Sequence, residues 1–135
     1  MRKMEMETRR ELGIHTIIEF YGCNRKVLAN SRKVEEIFRK ASKVSKATIL
    51  KTTFHHFDPV QLPSSKKYVQ GVSGVVIIAE SHFSVHTWPE YGYAAIDFFS
   101  CSPRVDIDNA IEYLRKNLKP KYLTRLDLRR GMIFE

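Results

Sequence analysis

The pattern of apolar and polar positions predicts five β-stretches in this chain, each bounded by turn-forming residues. β-Branched and aromatic residues dominate the first two stretches, and the last alternates apolar and polar side chains. The third stretch contains two strand segments, Gly71–Glu80 and Ser84–Trp88, on either side of a Glu80-Ser81 junction. The five stretches are 13–21, 47–57, 71–88, 93–100 and 122–130.

Two further stretches have the spacing of three and four residues that is typical of an amphipathic helix. The apolar positions are Val34, Ile37, Phe38, Ala41 and Val44 in residues 31–45, and Ile107, Ile111, Leu114 and Leu118 in residues 106–118. Ser31 is the expected N-cap of the first helix. The polar, proline-containing segment Asp58–Gln70 is expected to be a loop.

The predicted order of elements is β-α-β-β-β-α-β. Short connections between consecutive strands favour antiparallel pairing, and both helices are expected on one face of the sheet. The sequence therefore predicts an α+β fold, a two-layer sandwich. Its 135 residues contain neither an internal repeat nor an interdomain linker, so residues 1–135 are expected to form a single domain.

Charge and cysteine content limit the classes of function. Lys and Arg number 23 against 15 Asp and Glu, but the surplus is dispersed and lacks an aromatic-basic repeat, so no nucleic-acid partner is expected. The charged start has no apolar signal segment, and no run reaches membrane-spanning length, so no membrane association is expected. Cys23 and Cys101 form no CxxC pair and no cluster has zinc spacing, which predicts free thiols in the cytoplasm and no metal site.

Candidate chemistry concentrates in residues 71–101, GVSGVVIIAESHFSVHTWPEYGYAAIDFFSC. A strand in a protein core rarely contains so many polar residues, because each buried one needs a hydrogen-bonding partner. Such departures from local rules are expected at functional sites. The departures are Ser73, Glu80, Ser81, His82, His86 and Cys101.

The residues alone leave the chemistry of this segment open. In an extended strand, His82 and His86 lie on the face opposite to Ser81, so a Ser81–His86 pair would need a kink. No GxSxG motif supports a serine hydrolase, and the pattern favours a structural serine with two hydrogen-bonded histidines. Free cysteines usually serve as small buried apolar residues, and this structural role is the alternative to a chemical one for Cys101.

The same segment closely resembles the signature of the small prokaryotic S-adenosylmethionine decarboxylases, which depend on a pyruvoyl group. The resemblance extends to IIEFYGCN at residues 17–24, to TTFHHF at residues 52–57, and to the closing helix and strand. It implies a proenzyme that cuts itself between Glu80 and Ser81. The products would be a β chain, residues 1–80, and an α chain, residues 81–135.

The resemblance also implies roles for the unusual residues. Ser81 would attack the Glu80 carbonyl carbon and become the pyruvoyl group, with Ser73 hydrogen-bonded to the intermediate and His86 removing the Ser81 α-proton. The pyruvoyl carbonyl would then form a Schiff base with the amine of S-adenosylmethionine and act as an electron sink. Cys101 would return a proton to the decarboxylated carbon.

Further expectations concern substrate binding and assembly. Glu90 would contact the ribose hydroxyls and Phe57 would stack on adenine. The functional unit would be a homodimer of αβ units, and decarboxylated S-adenosylmethionine would serve as aminopropyl donor in spermidine biosynthesis.

Two departures from the family pattern keep an alternative substrate open. Asp58–Gln70 is longer than the corresponding segment of the family, and Ser102 replaces the usual glycine after the cysteine. Some relatives decarboxylate arginine or ornithine with the same self-processing machinery, which makes these amino acids the alternative. The segment HTWPEYGYAAID favours S-adenosylmethionine.

Overall fold

The computed structural model describes residues 11–61 and 68–133 of the chain. It contains six strands, three α-helices and one short 3-10 helix at Pro89–Tyr91. The strands are β1 (Gly13–Tyr21), β2 (Ile49–Gln61), β3 (Tyr68–Ile78), β4 (Ser81–Trp88), β5 (Tyr93–Ser100) and β6 (Tyr122–Arg130); the helices are α1 (Arg25–Leu28), α2 (Ser31–Val44) and α3 (Ile107–Leu118).

The strands form one antiparallel sheet in the order β2-β3-β4-β5-β1-β6. This confirms the predicted α+β fold with an antiparallel sheet. The order of elements also agrees, with residues 71–88 folding as the hairpin β3–β4 and therefore counting as two strands. The one-turn helix α1 is an addition that the apolar pattern did not indicate.

One face of the sheet packs against α2 and α3 and forms the core. Phe20, Phe83 and Phe98 project from three strands into this layer and are fully buried, together with Phe38 of α2 and Leu114 of α3. Since successive strand residues point to opposite sides, the alternate residues form a second face. We call this second side, on which no helix of the described residues packs, the open face; it includes His15, Ser73, His86, Asp97 and Leu126.

Two expectations about element ends were wrong. The N-cap of α2 is Asn30, whose side-chain oxygen accepts the Lys33 N–H at 3.1 Å, so Ser31 is already the first helical residue. The segment expected to be a loop is partly strand, because β2 and β3 continue to pair up to Gln61 and Tyr68, after a register shift between Phe57 and Val60. The remainder of that segment, 62–67, lies outside the described residues.

A buried threonine ties the β3–β4 hairpin to the helical layer. The Thr87 hydroxyl donates to the Leu28 carbonyl oxygen at 2.8 Å and accepts the Val72 N–H at 2.9 Å. Thr87 is fully buried, and both of its partners would lack a hydrogen bond without it. The contact fixes the end of β4 that carries the candidate histidine.

Candidate active site

The Glu80-Ser81 bond lies at the tip of the β3–β4 hairpin. Ile78 pairs with Ser81, which leaves Ala79 and Glu80 as a two-residue turn. Turns of this length usually place their central residues at positive φ, but here the positive φ, +139°, falls on Ser81. A serine in this region of the backbone map stores strain on the order of 1–3 kcal/mol. The residue that follows the candidate cleavage point is thus the strained one.

The carbonyl group of Glu80 is held by the neighbouring strand. The Cys101 N–H donates to the Glu80 carbonyl oxygen at 2.8 Å, and Ser81 pairs with Ser100 in the ladder. A fixed N–H donor stabilises negative charge on a carbonyl oxygen under nucleophilic attack. The structure therefore brings Glu80, Ser81 and Cys101 together, and we call these three residues the cleavage cluster.

The carboxylate of Glu80 is bound on the other side of the turn by Thr48. The backbone N–H and the hydroxyl of Thr48 each donate to one carboxylate oxygen at 3.0 Å. The Thr48 carbonyl oxygen in turn accepts the Ala79 N–H at 2.8 Å. The hydrogen bond from the Thr48 backbone is the largest cause of a lowered pKa at Glu80. Glu80 is therefore ionised and anchored near neutral pH.

A second group of candidate residues lies at the other end of β4. Ser73 and His86 are directly opposite each other in the β3–β4 ladder. The ring of Phe57 lies 5.7 Å from that of His86 between centroids, and Trp88 lies 4.2 Å from His86. In the part of the chain that the structure describes, Glu90 has a buried carboxylate oxygen, Oε1, without a hydrogen-bond partner. We call Ser73, His86, Glu90 and Phe57 the acid–base cluster.

The protonation of His86 suits a general base. Burial lowers the pKa of His86 from its ordinary value, and the negative charge of Glu90 partly opposes this effect. The imidazole is therefore neutral at pH 7, which leaves one ring nitrogen free to accept a proton. An unpaired carboxylate oxygen near this ring is also a ready acceptor for hydroxyl groups of a ligand.

Two glycines allow the backbone around Ser73 to be packed closely. Gly71 has φ +109°, and a Cβ atom there would collide with the Thr87 carbonyl oxygen. At Gly74 a Cβ atom would collide with the ring of Phe54. Glycine alone has no Cβ atom and adopts positive φ readily, which explains the two glycines of the GVSG sequence around Ser73.

The two clusters are too far apart to act on each other within one chain. Ser81 and His86 lie on the same continuous strand, β4, five residues apart. At about 3.3 Å per residue their backbones are separated by about 17 Å. The kink that would bring them together is absent from β4, and His82, Ser84 and His86 face the open side as expected for an extended strand. The cleavage cluster therefore lacks the expected base, His86, and the acid–base cluster lacks the Glu80-Ser81 bond.

Sequence reasoning missed several contacts on the open face. His15 Nε2 lies 2.9 Å from Asp97 Oδ1, and the Ser84 hydroxyl lies 3.4 Å from the other oxygen of Asp97. Asp97 and Ser84 line the same shallow cavity as Ser73 and His86. The alternation of residues along β5 could have placed Asp97 on this face, but only the strand order puts β1 and β4 on either side of it.

The two cysteines have different surroundings. Cys23 is buried, and burial raises its pKa to about 12, so its thiol stays protonated. Cys101 is exposed and lines a groove with Arg104 and Ser102. The ordinary role of a small buried residue therefore fits Cys23 and is wrong for Cys101. Both thiols are free.

The chain is thus a two-layer α+β protein in which the Glu80 carbonyl oxygen, at the tip of the β3–β4 hairpin, accepts a hydrogen bond from the neighbouring strand β5. The family model for S-adenosylmethionine decarboxylase matches residues 14–131. The chain belongs to this family, as the sequence resemblance predicted. Within the described residues, no helix is long and apolar enough to cross a membrane.

Similar proteins support this assignment. The S-adenosylmethionine decarboxylase proenzyme of Thermotoga maritima is 47% identical over 122 residues, which cover 90% of this chain and 86% of the relative. The proenzyme of the same name from Pyrococcus furiosus is 41% identical over 121 residues, covering 90% and 80%. The crystal structure of the adenosylmethionine decarboxylase from Aquifex aeolicus superposes with a TM-score of 0.78 at 29% identity, covering 93% of this chain and 96% of that one.

Proposed function

We propose that this chain is a self-processing S-adenosylmethionine decarboxylase. It cuts itself into residues 1–80 and 81–135, converts Ser81 into an amino-terminal pyruvoyl group, and then releases CO2 from S-adenosylmethionine. Decarboxylated S-adenosylmethionine is the aminopropyl donor for spermidine biosynthesis. The relatives from T. maritima and P. furiosus are both named proenzymes, which fits activation by processing. The free thiols of Cys23 and Cys101 fit a reducing compartment such as the cytoplasm.

The single observation that carries the proposal is the geometry of the Glu80-Ser81 tip. Ser81 Oγ attacks the Glu80 carbonyl carbon, the C–N bond breaks, and an ester forms while the nitrogen gains a proton. The Cys101 N–H, 2.8 Å from the carbonyl oxygen, stabilises the charge that develops during this attack. The strain at Ser81, φ +139°, is relieved when the bond breaks.

The second step opens the ester. A base removes the Ser81 α-proton, the ester oxygen leaves with its electron pair as the Glu80 carboxylate, and the remaining enamine tautomerises to an imine. Water hydrolyses the imine and releases ammonia, which leaves the pyruvoyl group at residue 81. We assign the base to His86 because its lowered pKa keeps it neutral, and we assign Ser73, directly opposite it in the ladder, as the hydrogen-bonding group.

The surroundings of Ser81 fit a pyruvoyl group. Ser81 pairs with Ser100, the residue before Cys101, so Cys101 is the next residue along the strand that adjoins position 81. The pyruvoyl carbonyl supplies an electron sink for loss of CO2. The exposed thiol of Cys101 would supply the proton for the carbon that has lost CO2.

The distance between the clusters leads us to propose a homodimer. A separation of about 17 Å along β4 prevents His86 from reaching the Ser81 of its own chain. A second copy of the chain can supply Ser73 and His86 to this Ser81. The open face also carries exposed apolar side chains that a second copy would cover: Ile77 is 40% exposed, Leu126 54% and Leu128 41%.

Substrate binding is assigned to the remaining members of the acid–base cluster. The buried, unpartnered Oε1 of Glu90 can accept hydrogen bonds from the ribose hydroxyls. The ring of Phe57, beside His86, offers a face for adenine. In the homodimer these residues would act with the Ser73 and His86 that they adjoin.

Release of labelled CO2 from S-adenosylmethionine, arginine and ornithine, measured side by side, tests the proposal. We expect release from S-adenosylmethionine, because the family and the relatives above are named for this substrate. A Ser81→Ala chain is the control and should release none. CO2 from arginine or ornithine alone would contradict the assigned substrate and favour the amino-acid decarboxylase alternative.

A further inference from the structure

We propose that Thr48 is a positioning residue for self-cleavage, which holds the Glu80-Ser81 bond by clamping the Glu80 carboxylate. The inference rests on the proposed function, since it concerns the same bond. Thr48 precedes β2 and lies 32 positions before Glu80 in the chain. It binds the side chain of Glu80 and the Ala79 N–H, not the carbonyl group that is attacked, so its role is to position the bond.

Thr48 is bonded to the hairpin turn at three points. Its N–H and hydroxyl bind both carboxylate oxygens of Glu80 at 3.0 Å, and its carbonyl oxygen accepts the Ala79 N–H at 2.8 Å. Hydrogen bonds to an ionised acceptor are about twice as strong as neutral ones. The carboxylate therefore fixes the side chain of the residue whose carbonyl carbon is attacked.

The opposite side of the same residue is fixed by β5. The Cys101 N–H binds the Glu80 carbonyl oxygen at 2.8 Å, so Glu80 is held by its carboxylate on the β2 side and by its carbonyl on the β5 side. A strained backbone such as that of Ser81, φ +139°, persists only where the surrounding contacts determine it fully. Thr48 supplies that constraint on the side away from Cys101.

A fixed carbonyl orientation matters because intramolecular attack depends steeply on alignment. If the Glu80 side chain were released, the two-residue turn could relax toward an ordinary conformation, which would rotate the Glu80 carbonyl away from Ser81 Oγ and the Cys101 N–H. Cleavage would then slow, although every group that takes part in the chemistry would still be present.

The test is the rate of self-cleavage of freshly translated chains, followed by the conversion of the 15.8 kDa precursor into two fragments. For Thr48→Val we expect a rate roughly tenfold lower, the factor that the loss of one hydrogen bond to a charged group implies. Thr48→Ser keeps the hydroxyl and should cleave close to the wild-type rate. Thr52→Val is the matched control, because Thr52 lies in β2 and its hydroxyl binds Glu35 at 2.7 Å, away from the turn.

A double-mutant cycle separates the clamp from a general structural effect. Glu80→Ala removes the carboxylate and should slow cleavage at least as much as Thr48→Val. Thr48→Val should add nothing in the Glu80→Ala background, since its partner is already gone. Slowing factors that multiply, or a wild-type rate in either single variant, would overturn the inference.

The same data distinguish the two proposals. Wild-type chain that stays uncut would overturn the proposed function itself. Cleavage of wild-type chain with an unaffected Thr48→Val variant would overturn only the clamp. Because Glu80→Ala tests the clamp from its other partner, the inference can still be refuted if the Thr48 variant does not fold.

Discussion

A shared active site predicts that two inactive variants repair each other. A Ser81→Ala chain has no hydroxyl to attack Glu80, and a His86→Ala chain has no base for the Ser81 α-proton. In a mixed dimer, the intact Ser81 of the second chain would meet the intact His86 of the first. One of the two sites is then complete, and the other carries both changes.

The structure sets the size of the effect. Because about 17 Å separates Ser81 from His86 along β4, a chain cannot use its own His86, and rescue must come from the other copy. Loss of a general base slows a reaction by roughly 10²–10⁴-fold, so His86→Ala alone should remain essentially uncut, as should Ser81→Ala, which lacks the attacking hydroxyl. With equal expression and random pairing into twofold dimers, roughly half of the His86→Ala chains lie in mixed dimers and should be cut.

The assay is co-expression of the two variants with tags of different length, followed by quantification of each chain and fragment by mass spectrometry. Fragments should come from the His86→Ala chain only. The control is mixing of the two variants after separate folding and without subunit exchange, which should give no cleavage. If co-expression leaves both chains whole while wild type is cut, the site lies within one chain and the argument from strand geometry is refuted.

Three further predictions concern single residues. Cys101→Ala should be processed, because its backbone N–H remains, but turnover should fall by roughly 10²–10⁴-fold; unchanged CO2 release would refute the role of proton donor. The rate of wild-type processing should hold below pH 6.5 and fall only as the pH drops through the lowered pKa of His86. Glu90→Gln removes the negative charge that raises this pKa, so it should move the fall in rate to still lower pH. A fall in rate that moves to higher pH in Glu90→Gln would contradict this. Thr87→Val should lower the free energy of unfolding by about 2–4 kcal/mol, because two buried backbone groups lose their hydrogen-bond partner. Urea titration at one chain concentration measures this loss, in a Ser81→Ala background that keeps the chain whole. A loss below about 0.5 kcal/mol would contradict the importance of these hydrogen bonds.

The strands that the sequence predicted well are those with clear turn residues at their ends. β1, β5 and β6 have the predicted bounds, Gly13–Tyr21, Tyr93–Ser100 and Tyr122–Arg130, because residue type (β1) or alternation (β6), together with flanking turn residues, defines their ends locally. The predicted loop at Asp58–Gln70 was partly wrong for a related reason. Its polarity and proline suggested a loop, but β2 is an edge strand, where a proline without an N–H is tolerated at an irregular position.

The candidate site was predicted as a set of residues but not as an arrangement. Ser81, His86 and Cys101 came from the motif, and the extended strand already implied that Ser81 and His86 lie apart, whereas the pairing of Ser81 with Ser100 and of Ser73 with His86 depends on how the strands are aligned in the sheet. Thr48 was missed because its partner, Glu80, lies 32 positions away and is reached only across the end of the sheet. The conformation of Ser81 likewise follows from the hairpin and not from its own side chain.

Cleavage at Glu80-Ser81 and conversion of Ser81 both change the intact mass of the purified protein. We expect two species under denaturing conditions: residues 1–80 with an ordinary carboxyl terminus, and residues 81–135 lighter than the unmodified peptide by one ammonia molecule. A single species with the mass of the full 135-residue chain would contradict it.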